Sequence, residues 1–149
     1  MLDDKTGVEY LYTNENRERM YIFEIHSTPR PQKQTRFSVT GCYDPSKNQK
    51  ISIQWQIRPH SPKEPLLGCI SLSLTFYLPI PKHIKGIERE QMINGIIKPY
   101  KRPDVDNLAY IVTNAMKGLV YKDDAQICDM TLIKRYSDSP KTVIKVCEI

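Results

Sequence analysis

The sequence predicts a small single domain of the α+β class, in which a mixed or antiparallel sheet packs against two or more helices. Three segments carry this prediction: an alternating apolar strand at 69–78, an apolar-striped helix at 107–117, and a strand–turn–strand ending after residue 126. At 149 residues the chain is long enough for one domain with a proper core and too short for two comfortable ones. No run approaches the roughly 18 apolar residues of a membrane span, so a membrane protein is not expected.

The N-terminal quarter contains the weakest patterns. We divide the chain into a polar N-terminal extension, residues 1–20, and a domain from 21 to 149. Tyr21, Phe23 and Ile25 alternate with Glu24 and His26, which predicts a strand. The segment 29–36 contains two prolines and predicts a loop, because proline cannot serve a central strand.

The next segments have mixed signals. Residues 41–50 are rich in turn formers. The apolar side chains of residues 51–57 fit both the alternation of a strand and the i, i+4 spacing of a helix, so both interpretations stay open. Trp55 is expected in the core, and three prolines between residues 59 and 65 break the chain.

The second half is more regular. In the strand at 69–78 the apolar residues alternate with Ser, Thr and Tyr. In the helix at 107–117 the apolar residues recur at i, i+3, i+4, i+7 and i+8, with Asp106 or Asn107 as its cap. A strand from about Leu119 is predicted to carry Asp123 and Asp124. Two further strands follow, with a turn between them at 137–140.

The four cysteines are Cys42, Cys69, Cys128 and Cys147, and their scattered positions without a CxxC pair argue against a zinc site. The N-terminus lacks the basic-then-apolar pattern of a secretory signal, so a cytoplasmic protein is predicted. In a reducing cytoplasm all four cysteines are expected to be free thiols.

Basic residues concentrate in the middle of the chain. The net charge is +5, with −3 over residues 1–28, +5 over 29–66 and +4 over 67–102. Cations next to a metal-binding acidic site suit a polyanionic substrate, because they hold its phosphates while the acids hold the metal. Solubility of a small protein explains the same charge equally well.

Four aspartates fall within 21 residues: Asp104, Asp106, Asp123 and Asp124. Carboxylates that fold together repel each other unless a cation binds between them. Oxygen ligands of this kind suit Mg²⁺, or Mn²⁺ as a substitute, rather than zinc. Helix capping and a turn explain the same aspartates about equally well if spacing alone is considered.

A longer pattern favours the metal site. Residues 102–108 read Arg-Pro-Asp-Val-Asp-Asn-Leu, and residues 114–127 read Asn-Ala-Met-Lys-Gly-Leu-Val-Tyr-Lys-Asp-Asp-Ala-Gln-Ile. The segment 98–128 resembles the signature of the RusA-type Holliday junction resolvases (crossover junction endodeoxyribonucleases), approximately KPDxDNLxKxxxDALNGxxYxDDxQI. The resemblance continues through Lys134, Pro140 and the strand that follows.

The resemblance implies a small RusA-like homodimer that cuts four-way DNA junctions in recombination and repair, with Mg²⁺ as cofactor. The distribution of the family points to a phage origin. Asp104, Asp106 and Asp124 would bind the metal, and Asp123 would act beside them as a helper or a ligand. Asn107 would orient the helix start. The basic residues expected to bind DNA phosphates are Lys33, Arg36, Lys98, Lys101 and Arg102.

Two positions depart from the family pattern. Tyr110 stands where the family usually has a lysine thought to support catalysis, and Asn114 stands where it has an aspartate. Tyrosine carries no charge near neutral pH, so Tyr110 cannot replace the lysine electrostatically. Lys122 and Lys117 are the candidates for a substitute cation. Two other functions therefore stay open: a branched-DNA-binding module with weak or no cleavage, and a metal-dependent nuclease acting on flapped DNA or RNA.

Overall fold

The computed structural model describes residues 8–13 and 16–149, with side chains from residue 19 onward. The described elements, in chain order, are β1 (Val8–Thr13), β2 (Asn16–Ile25), β3 (Arg36–Ser38), β4 (Gly41–Tyr43), α1 (Lys47–Ile57), β5 (Ile70–Pro79), α2 (Gly86–Ile93), α3 (Val105–Met116), β6 (Ile127–Ser137) and β7 (Lys141–Glu148). Short 3₁₀ helices lie at Arg58–His60 and Asp124–Gln126.

Five strands form one mixed sheet in the order β1-β2-β7-β5-β6. Strands β5 and β6 are parallel, and the other neighbours are antiparallel. Strands β3 and β4 form a separate two-stranded hairpin. The α+β class and the mixed sheet predicted from the sequence are therefore confirmed.

The core lies between the sheet and the helices α1 and α3, which pack against each other. Strand β5 buries every second side chain, and α3 buries the predicted apolar stripe. Burying a side chain of this size stabilises the fold by about 1.5–3 kcal/mol. The buried residues of these two elements are Ile70, Leu72, Leu74, Phe76, Leu78, Leu108, Ala109, Ile111, Val112, Thr113, Ala115 and Met116.

The ambiguous segment 51–57 is helical and belongs to α1. Ile53 and Ile57 lie one turn apart and are both buried, while Trp55 on the other side is 71% exposed. The expectation of a core tryptophan is wrong, because in a helix the position two residues from a buried one points away from it. Helix α1 also begins inside the segment that the sequence marks as turn-rich. Among the described residues, no helix is both long and apolar enough to cross a membrane.

At the N-terminus, regular structure crosses the boundary that we place after residue 20. Strand β2 begins at Asn16 and pairs with β1 on one side and β7 on the other. The rest of the predicted extension, residues 1–7 and 14–15, lies outside the described residues.

Two local predictions in the second half are wrong. Helix α3 begins at Val105 with Asp104 as its N-cap residue, ahead of the expected Asp106 or Asn107. The segment from Leu119 to Asp124 is a turn followed by a 3₁₀ helix, where a strand is expected. Gly118 allows that turn through its positive φ of 79°.

The expectation of four free thiols is also wrong, because Cys69 and Cys128 form a disulfide. Ile70 pairs with Ile127 and Ser71 pairs with Asp129, so Cys128 is an extra residue in the ladder between β5 and β6. The two cysteines lie 59 positions apart in the sequence, and adjacent strands bring their Cα atoms to 6.1 Å.

Candidate metal and nucleic-acid site

The first aspartate pair lies at the start of α3. The Asp104 backbone is extended, and its carbonyl accepts the first helical hydrogen bond, from the amide of Leu108 at 3.1 Å. Asp106 lies in the first turn, and both side chains are exposed. Neither carboxylate takes part in a hydrogen bond or ion pair within the described part of the chain. Their oxygens therefore face solvent at the helix end where the dipole favours negative charge.

Basic side chains surround this helix start. Lys98, Lys101 and Arg102 are exposed in the loop that leads into Asp104. The Lys134 ammonium on β6 donates hydrogen bonds to the carbonyls of Lys101 and Pro103 in this loop, both at 2.9 Å. The loop is thus attached to the sheet directly before the first candidate metal ligand.

The second predicted basic group is attached to the same helix. The Gln32 amide donates to the Asn107 carbonyl at 3.3 Å, and the Asn114 side-chain amide donates to the Gln32 side-chain oxygen at 2.9 Å. Lys33 follows in this loop and Arg36 begins β3, and both are exposed. The fold therefore brings both basic segments, far apart in the sequence, to α3.

Asp123 is occupied by local structure. It caps the 3₁₀ helix, since its carboxylate accepts from the Ala125 amide at 3.0 Å and its own amide donates to the Gln126 side chain at 2.7 Å. The Lys117 ammonium lies 3.5 Å from its second oxygen. The hydrogen bond from Ala125 and then the charge of Lys117 hold the pKa of Asp123 below its ordinary value. Capping thus accounts for this aspartate without a metal.

Asp124 is different, because one of its oxygens is orphaned. Its Oδ1 is completely shielded and has no hydrogen-bond partner among the described residues. The Tyr121 hydroxyl lies beside it but donates to the Thr113 carbonyl at 3.1 Å. A buried acceptor without a donor costs about 1–3 kcal/mol, which a bound cation would offset.

Asp124 lines an open cavity of about 330 Å³. Thr113 on α3 forms one wall, and Asp129 on β6 adds a second carboxylate that accepts a hydrogen bond from the Ser71 hydroxyl. Sequence reasoning missed Asp129, although it lies only five residues beyond Asp124. The alternating strand in which it lies predicts an ordinary solvent-facing position.

The two aspartate groups lie along different parts of α3. Asp124 lies next to Thr113, which is about 10 Å along the helix axis from Asp106. Accordingly, no group of three or more His, Cys, Asp or Glu side chains within the described residues is close enough to hold a metal ion. Mg²⁺ nevertheless binds commonly through one or two carboxylates, with water and substrate phosphate completing its shell. Each group by itself fits that mode: the orphaned Asp124 oxygen offers one carboxylate, and the solvent-facing Asp104 and Asp106 offer two at the helix start.

The predicted supporting residues lie around this helix. Tyr110 is 57% exposed and one turn beyond Asp106. Asn107 is exposed, and its carbonyl receives the Gln32 amide. Of the two candidate substitute cations, Lys117 is paired with Asp123, while Lys122 is exposed. Sequence reasoning did not assign a role to Lys134 or Gln126, because a strand lysine and a turn glutamine are ordinarily solvated.

Solvent-facing carboxylates on a helix that also anchors two basic loops define a site suited to phosphodiester chemistry on a nucleic acid. A protein-family model described as "Endodeoxyribonuclease RusA" matches residues 25–147, so the chain belongs to the RusA endodeoxyribonuclease family. The resemblance at 98–128 is thereby confirmed. The chain is also similar to "Uncharacterized protein YqaN" of Bacillus subtilis (strain 168), with 29% identity over 135 residues, covering 85% of this chain and 95% of that protein.

Proposed function

We propose that this protein is a Mg²⁺-dependent, structure-selective DNA endonuclease that resolves Holliday junctions by paired symmetric nicks. Membership of an endodeoxyribonuclease family supports the nuclease class. The observation that carries the proposal is that Asp104, Asp106 and Asp124 keep oxygens without a donor in the described residues, next to exposed basic loops. Mn²⁺ is the expected substitute for Mg²⁺.

The proposed roles follow from where the residues lie. Asp104 and Asp106 would bind metal at the start of α3, and Asp124 would bind metal about two turns along that helix. Asp123 keeps the 3₁₀ turn in place beside Asp124. When bound, Mg²⁺ supplies Lewis-acid polarisation of the phosphate and a lowered pKa of its water. The exposed cations of the two loops hold the DNA backbone, and these are Lys33, Arg36, Lys98, Lys101 and Arg102.

A second candidate function is branched-DNA binding with slow cleavage. Tyr110 favours it, because this exposed position on the carboxylate face of α3 is uncharged where the family pattern has a lysine. Without that charge, the positive potential around the scissile phosphate is lower.

A cleavage assay on a synthetic four-way junction tests the proposal. Each strand is end-labelled in turn, and the protein is incubated with Mg²⁺, Mn²⁺ or EDTA. Linear duplex and flapped DNA of the same sequence, and the matching RNA, serve as controls. Symmetric nicks that need the metal support the first function, and tight binding without nicks supports the second. Faster cleavage of flapped DNA or of RNA than of the junction would contradict the proposal and identify that nucleic acid as the substrate.

A further inference from the structure

Lys134 connects the sheet to the loop in front of the candidate metal site. It lies on β6 opposite Phe76 of β5, and it is half-buried. Its ammonium group donates to two carbonyls of one loop, those of Lys101 and Pro103, at 2.9 Å each. The sequence separations are 33 and 31 residues, so this contact exists only in the folded chain.

These hydrogen bonds hold a segment that has few others. Within the described part of the chain, the backbone of residues 98–103 makes no other hydrogen bond. The next residue is Asp104, which ends the loop and begins α3. This contact therefore helps to position the Asp104 carboxylate and the exposed Lys101 and Arg102 side chains.

The two hydrogen bonds of Lys134 do not by themselves require a charge, because a neutral donor could bind the same carbonyls. The start of a helix carries partial positive charge, and three further cations lie in the adjacent loop. Asp104 and Asp106 at the same helix start attract a cation, while the helix dipole and the loop cations repel it, so the local charges oppose one another. A bound anion would add further attraction for the positive charge of Lys134, and a DNA phosphate is an anion of that kind.

We propose that Lys134 is a positioning residue of the active site. It fixes the loop 101–103 so that Asp104 and the loop cations meet a phosphate of the DNA in one arrangement, and its charge adds to the positive potential there. This inference rests on the proposed function. Under this proposal β6 takes part in the reaction through Lys134, which positions the loop in front of the carboxylates.

Three full-length variants test the inference. Lys134→Met removes the charge and the donors while retaining most of the side-chain length, and Lys134→Arg keeps both. Lys145→Met is the matched control, since Lys145 is an exposed lysine on β7 of the same sheet. The measurements are the single-turnover cleavage rate against Mg²⁺ concentration, junction binding with Ca²⁺, and the melting temperature.

Lys134→Met is expected to lower the rate at saturating Mg²⁺ by about 10- to 100-fold, the usual effect of losing an outer partner of a metal site. It should also raise the Mg²⁺ concentration needed for half-maximal rate, while junction binding changes much less. Lys134→Arg should recover most of the rate, and Lys145→Met should match the parent. A Lys134→Met variant with parental rate and Mg²⁺ dependence would overturn the inference.

A second readout does not depend on cleavage. Hydrogen exchange of the Leu108 amide reports the first turn of α3, because that amide donates to Asp104. In Lys134→Met this amide should exchange faster, while amides in the last turn of α3 remain unchanged. If the parent fails to cut junctions, the proposed function fails, and the exchange data still decide whether Lys134 positions Asp104. Faster exchange throughout the domain, without recovery by arginine, would show a general stabilising role and overturn the inference.

Discussion

The Tyr121 hydroxyl lies against Asp124 but donates its proton to the Thr113 carbonyl, 3.1 Å away. Tyr121 is completely buried, so this hydrogen bond fixes the segment before Asp124 to α3. The Asp124 Oδ1 atom accepts no hydrogen bond from any of the described residues. A shielded carboxylate oxygen without a donor is available to a cation.

Tyr121→Phe tests this relationship through pH. Burial, followed by the charge of Asp124, raises the pKa of Tyr121 well above its ordinary value near 10. A raised pKa means that the unfolded chain ionises first, so this tyrosine's contribution is complete below pH 10 and is lost as pH rises above it. We expect the parent's free energy of unfolding to fall more steeply above pH 10 than that of the variant. Urea unfolding at several pH values measures this, and parallel pH curves would contradict it.

Tyr121→Phe should also destabilise the fold by about 0.5–1.5 kcal/mol at neutral pH, because it removes one buried hydrogen bond. Junction cleavage should be retained, since Asp124 keeps its oxygens. Complete loss of cleavage in a folded variant would assign the hydroxyl a direct part in the reaction.

Asp123→Asn and Asp124→Asn form a matched pair. Asparagine can still cap the 3₁₀ helix, so Asp123→Asn should keep most of the cleavage activity. Asp124→Asn should lower the cleavage rate by more than about 100-fold, which exceeds the usual effect of removing a residue that only supports a metal ligand. Equal losses of activity in both variants would mean that Asp123 also binds the cation, as the family pattern leaves open. Single-turnover rates at saturating Mg²⁺ decide whether Asp123 is only a cap or also a metal ligand.

Asp106→Asn should abolish cleavage and preserve, or even tighten, junction binding. The substitution removes one cation ligand and also one negative charge that repels DNA phosphate. Cleavage and gel-shift assays on the same junction separate the two effects. Two results together would instead support a structural role for Asp106. They are an Asp106→Asn variant that fails to fold and a parent protein whose melting temperature does not respond to Mg²⁺.

Tyr110→Lys should raise the cleavage rate. A cation directed at charge that develops on the phosphate contributes about 10²-fold or more when it is well placed. Tyr110 is 57% exposed, so the change should cost little stability. The rate must be compared at saturating Mg²⁺, because the new charge also competes with the metal. An unchanged rate would show that another cation, Lys122 or Lys134, already supplies the charge.

A homodimer is expected in solution, because two symmetric nicks need two equivalent sites and a two-fold dimer provides them. Each chain contributes one candidate site, at α3. Light scattering measures the molar mass in solution, and the junction assay shows whether both nicks are made. A monomer that makes both nicks in one encounter would contradict it.

The sequence by itself determined the strands and helices whose pattern depends only on residues close together in the chain. The alternation of β5 and the apolar stripe of α3 follow from the spacing of neighbouring residues, and the structure confirms both. The motif at 102–127 identified the family for the same reason, since it is a string of fixed short spacings. Segment 51–57 stayed ambiguous because two apolar pairs fit either period, and burial of Ile53 with Ile57 against the core settles it as a helix.

The tertiary structure decided which side chains keep free oxygens and which are occupied. Sequence spacing treats Asp123 and Asp124 alike, but the cap formed with Ala125 and Gln126 uses one of them and leaves the other. The disulfide between Cys69 and Cys128 and the contacts of Lys134 join segments 31 to 59 residues apart. Contacts of that separation depend on strand order and register, which local periodicity does not specify.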